Sequence, residues 1–98
     1  MDHLLAVETN NDGDVVTVHA DVLGLRALVK AFQRLLDHAE RGKPEHDHLM
    51  TEDWGGGDLS SKPQATDGVT RVVHHVKLYG WPTSEGKTVY ESVRKPPP

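Results

Sequence analysis

The run LLAVE, Leu4 to Glu8, is apolar up to its last residue, and it is followed by TNNDGD, Thr9 to Asp14, whose Asn, Asp and Gly suit a hairpin turn. VVTVHA then places the β-branched Val15, Val16 and Val18 in a second extended run. Two antiparallel strands are predicted. After Ala20 the period lengthens: Val22, Leu25, Leu28, Val29, Phe32, Leu35, Leu36 and Ala39 recur at helical spacing, and Arg26, Lys30, Gln33, Arg34, Asp37 and Glu40 are left for solvent. Asp21 can cap the first free amides, Gly42 can end the helix and Pro44 prevents its resumption. Gly24, in the first turn, marks a place where the helix can sit close to a strand. HDHLMT, His46 to Thr51, is extended in character, and VTRVVHHVKLYGW, Val69 to Trp81, is the longest strand signal. The intervening EDWGGGDLSSKPQATDG is rich in turn formers, with a brief extended piece around Leu59.

The order strand, strand, helix, strand, strand predicts an α+β fold: a four-stranded, mainly antiparallel sheet with one long helix packed on one face. Alternation along the last strand sets Val72, His74, Val76 and Leu78 on one face, read as inward, and Arg71, Val73, His75, Lys77 and Tyr79 on the other. With Leu49 in the core, His46, His48 and Met50 turn outward. His48 and His75 are then expected on the same open face, an expectation that a single bulge would reverse.

The chain has 98 residues, enough for one domain with a small core, with 36% hydrophobic and 27% charged residues. The predicted body is residues 1–82, and 83–98, ending VRKPPP, is expected to be a flexible Pro-rich tail. No apolar run approaches the length of a membrane span, and MDHLLAVETN lacks the basic flank and long apolar block of a signal peptide, so a soluble, cytoplasmic protein is expected. The absence of cysteine excludes disulfides, thiolate metal sites and cysteine nucleophiles. A net charge of −4 with dispersed Lys and Arg disfavours nucleic acid and favours a basic partner.

Seven histidines raise metal binding as a chemical hypothesis, with His46, Asp47, His48 and His75 as the candidate set for a small metal-dependent enzyme or metal-binding protein. Against it, neighbours in a strand point to opposite faces and no HExxH-like spacing occurs, so cross-strand hydrogen bonding is the simpler use of these rings and no cofactor is expected. Glu52, Asp53 or Asp58 beside a histidine could serve acid–base chemistry, but they also read as solvated turn acids. Ser60 and Ser61 lack a nucleophile-elbow context, and Gly55 to Gly57 lack the Lys-Ser or Lys-Thr of a phosphate-binding loop. Trp54 and Trp81 lie beside glycines at strand ends, where they either seal a small core or present a binding surface.

The segments HDHLMTEDWGGGDLS and VVHHVKLYGWP, with VTVHADVLGLRALVKAFQRLL upstream, resemble the immunity protein 32 family of bacterial polymorphic toxin systems, from about Asp14 to Pro82. The resemblance implies a non-enzymatic cytoplasmic protein, encoded beside a toxin and neutralising it by direct binding. It carries no catalytic residue set. An open sheet face bearing His48, Met50, His75 and Tyr79, flanked by Trp54 and Trp81, is the candidate partner-binding surface, because interfaces favour aromatics and Met. The same face could instead make a homodimer.

Overall fold

The computed structural model describes residues 3–84 and 87–88. Strand β1 (Leu5–Thr9) pairs antiparallel with β2 (Val16–Ala20), with Leu5 opposite Ala20 and Thr9 opposite Val16. In the hairpin, the Asn10 side chain accepts hydrogen bonds from the amides of Asp14 (3.0 Å) and Val15 (3.1 Å), so the turn predicted from its Asn and Asp content is closed by them. The 19-residue helix α1 (Val22–Glu40) follows at once. Asp21 Oδ1 accepts from the Gly24 amide at 2.7 Å, and beyond the last turn the Gly42 and Lys43 amides donate to the Ala39 and His38 carbonyls. Both predicted helix ends are therefore as expected.

The Asp21 amide also donates to the Leu4 carbonyl at 3.1 Å, holding the start of the helix against the start of β1. A Cβ on Gly24 would stand 1.9 Å from that Leu4 oxygen, a distance no side chain tolerates. The glycine in the first turn is what admits this close approach.

β3 (Glu45–Met50) pairs antiparallel with β5 (His75–Gly80), Leu49 opposite Val76 and His46 opposite Tyr79. The last strand signal is not one strand. Its first part, β4 (Arg71–Val72), pairs with β1 at Glu8 and Thr9, and the chain then shifts over Val73 and His74 before pairing with β3. The Val73 amide donates to the Val7 carbonyl (2.8 Å), and the His74 carbonyl accepts from the Thr51 amide (3.0 Å). The expected single four-stranded sheet is accordingly corrected to a three-stranded sheet, ordered β2-β1-β4, and a two-stranded sheet, β3-β5. The physical reason is that one strand must serve two neighbours that diverge around a small core, and an irregular step bends it from one to the other.

That step also corrects the expected faces. Val73, not Val72, packs against the core cluster of Leu5, Val7, Leu49 and Leu59, beside Val76 and Leu78. His74 turns out of the inward set altogether, its ring stacked on Trp54. For Leu49, Val76 and Leu78 the inward assignment agrees with the structure.

β1 is buried from Leu5 to Glu8. Leu5 and Val7 meet the core, and the segment after β3 runs past the strand: the Ser60 amide donates to the Leu5 carbonyl (2.7 Å), and the Gln64 amide donates to the buried Glu8 carboxylate. Leu59 of the same segment, bridged in parallel to Thr51, is fully buried in the core cluster with Leu5, Val7 and Leu49. The expected flexible tail over 83–98 lies for the most part outside the described residues. Within it, β6 (Thr83–Ser84) and β7 (Lys87–Thr88) pair antiparallel.

Candidate functional site

The candidate surface begins with register. Residues directly opposite in an antiparallel pair share a face. Met50 opposite His75, His48 opposite Lys77 and His46 opposite Tyr79 therefore form one face of the β3-β5 ribbon, while Asp47 opposite Leu78 and Leu49 opposite Val76 form the other. The second face meets α1 and the core. The first is open to solvent, as expected from alternation.

On this open face the rings form a continuous row. His75 lies 5.0 Å from His48, His48 meets His46 edge-on at 5.0 Å, His46 stacks on Tyr79 at 5.6 Å, and Tyr79 stacks on Trp81 at 5.9 Å. His48 Nδ1 and His75 Nε2 are 2.7 Å apart, so one ring donates to the other and each sets its neighbour's tautomer. Partial desolvation holds the His48 pKa below its ordinary value, and the nearby His46, His75 and Lys77 act in the same direction. A hydrogen-bonded imidazole pair thus forms one end of the row.

Two further stacked rings end the ribbon. Trp54, in a single 3₁₀ turn (Glu52–Trp54), stacks parallel on His74 at 5.2 Å, and His74 Nδ1 and the buried Thr51 Oγ1 are hydrogen-bonded at 2.7 Å. Trp54 remains 56% exposed, so it does not seal the core. A Cβ on Gly56 would lie 2.4 Å from the Met50 carbonyl oxygen, so the glycine turn after Trp54 folds tightly back on β3. Trp81 is half-buried at the far end of the ring row.

The structure brings together His48, Met50, His75, Tyr79 and Trp81 on or beside one face, and sets Trp54 at the end of β3. It separates the candidate metal set. Asp47 lies on the helix side, 3.4 Å from the Arg34 guanidinium, away from His46, His48 and His75. Among the described residues no group of three or more His, Asp or Glu side chains could hold a metal ion. Asp53 and Asp58 are tied to their own turn: Ser61 Oγ accepts from the Asp53 amide, and the Asp58 carboxylate accepts from the Met50 amide.

Sequence reasoning missed two residues. His46, placed on the outward face but given a role only in the metal set, is the link that joins the histidine pair to Tyr79 and Trp81. Arg34 is exposed, as read, but it also donates to the His46 carbonyl at 2.8 Å and reaches Glu45 at 3.5 Å, joining α1 to β3 behind the ring row. Glu45 is held below its usual pKa by the His46 amide, then by Arg34 and His38. The signal for His46 was present in the alternation with His48, whereas nothing local marks Arg34.

The immunity protein 32 family model matches residues 15–76. The chain belongs to that family. The immunity protein 32 match runs from the start of β2 through α1, β3 and β4 into β5, so it includes His46, His48, Trp54 and His75 and stops short of Tyr79 and Trp81. No curated protein and no solved structure matches the chain. Among the described residues, no helix of this immunity-family protein is long and apolar enough to cross a membrane.

Proposed function

We propose that this protein neutralises a cognate bacterial toxin by direct, non-catalytic binding, and that the toxin docks on the open face of the β3-β5 ribbon. The observation that carries the reading is the unbroken row of rings from His75 to Trp81 on a solvent-facing sheet surface of an immunity-family chain. Rings in van der Waals contact are rigid, hold polar edges and apolar faces together, and lose little side-chain entropy on binding, which is why such residues dominate protein interfaces. The mechanism is occlusion of the toxin's active site or of its substrate path. Residues of the ribbon's inner face and Arg34 hold the row in place rather than touch the partner. The net charge of −4 favours a basic toxin domain through long-range steering.

The test is titration calorimetry of the purified chain against the effector encoded beside it, together with growth rescue of cells expressing that effector. Stoichiometric binding is expected, with His48→Ala and Tyr79→Ala each weakening it at least ~10-fold. Protection at substoichiometric amounts would identify an enzymatic antidote instead, and unchanged affinity in both variants would move the docking surface elsewhere.

A further inference from the structure

Helix α1 carries two apolar stripes, and the molecule covers only one. Gly24, Ala31 and Leu35 are buried and Leu28 is half-buried, so this stripe faces the sheets. The second stripe, centred about 100° around the helix, is Val22, Leu25, Val29, Phe32 and Leu36, each 50–64% exposed. Its spacing alternates three and four residues, continuing to Ala39, which is the repeat of a coiled-coil seam. Across an apolar cleft of about 370 Å³ that Phe32 shares with β2, the exposed Val16 and Val18 extend the patch. Together these side chains expose on the order of 600 Å² of apolar surface, at the upper end of what monomers leave uncovered and most of the ~800 Å² that one partner contributes to a stable interface.

We infer that this seam pairs with the same seam of a second copy, antiparallel about a two-fold axis. The spacing closes on itself in that arrangement: Val22 meets Ala39 of the other copy, Leu25 meets Leu36, and Val29 meets Phe32, three mixed layers in one register. The flanking charges select the same direction. Arg26 and Lys30 border the N-terminal half of the seam, and Asp37 and Glu40 border the C-terminal half. Turned end for end, each basic half lies along the acidic half of its mate, whereas a parallel pairing would set like charges together. The ring row lies on the face of the β3-β5 ribbon away from α1, so the pairing leaves it open. The dimer is a bivalent form of the chain, and its existence does not depend on what the ring row binds.

Light scattering of the full chain at micromolar concentration tests it. A mass of two chains is expected, and Val29→Glu, which places a charge in the central layer, is expected to raise the dimer dissociation constant more than ~100-fold with the far-UV circular dichroism unchanged. Register is read by crosslinking, for which the absence of native cysteine is convenient. The double variant L25C/L36C is expected to form an interchain disulfide. Neither L25C nor L36C alone should do so, since each would face its own copy about 16 Å away along the helix axis. A chain that stays monomeric throughout the concentration range overturns the inference. So does a dimer indifferent to Val29→Glu, or crosslinking of the single variants as efficient as that of the pair. Should Val29→Glu fail to fold, the mass of the native chain and the crosslinking pattern decide alone.

Discussion

His48 concentrates the chemistry of the ring row at one residue. Its pKa lies below the ordinary 6.5 because its surroundings are partly desolvated and because His46, His75 and Lys77 oppose a further positive charge. The unfolded chain therefore binds the proton more readily than the folded one. The stability that His48 contributes is complete above its ordinary value and is lost as the pH falls through the depressed folded value. In a proton NMR titration the His48 ring should show a midpoint below 6.5, and His46→Gln should move that midpoint upward while leaving the desolvation in place. A His48 midpoint at or above 6.5 would mean that the ring row is not assembled in solution.

At the scale of the element, α1 has to satisfy two demands with one amphipathic sequence. Its small stripe of Gly24 and Ala31 brings the helix close to the strands, and Leu35 fills the space against Gly80, where a Cβ would lie 3.0 Å from the leucine's own Cβ. Leu36, the next residue, is half exposed. The two leucines are adjacent and chemically identical, so they separate burial from composition. Leu35→Ala should lower the unfolding free energy by about 2–4 kcal/mol, whereas Leu36→Ala should change it by less than about 1 kcal/mol at concentrations where the chain is monomeric. Urea unfolding of the two variants measures the difference, and equal losses would place Leu36 in the core.

At the scale of the whole molecule, the segment between β3 and β4 completes the burial of β1. Glu8 is 1% exposed, accepts from the Gln64 amide, and lies 3.3 Å from His19 on β2, so one carboxylate ties that segment, β1 and β2 together. Glu8→Ala strands the Gln64 amide, and a loss of about 1–3 kcal/mol is expected. Hydrogen exchange should quicken over residues 60–70 while β3 and β5 stay protected. Unchanged exchange in that segment would show that Leu59 and the Ser60–Leu5 bond anchor it without the carboxylate.

Local features were legible in the chain. The helix, its Asp21 cap and its end at Gly42 follow from spacing and from capping chemistry within a few residues, and the hairpin at Asn10 to Asp14 follows from turn composition. The outward set of His48, Met50, His75 and Tyr79 was legible too, because each β3 and β5 segment keeps strict alternation. What the tertiary structure alone decided was where that alternation breaks. The step at Val73 and His74 reverses which residues face the core, and it exists because β1 and β3 compete for the same strand from positions far away in sequence. The clamp of Arg34 on β3, the burial of Leu59 amid turn formers, and the division of one apolar helix arc into a covered and an uncovered stripe have the same origin. Periodicity specifies that a face is apolar, whereas the partner that covers it is selected by packing between elements that the chain brings together only on folding.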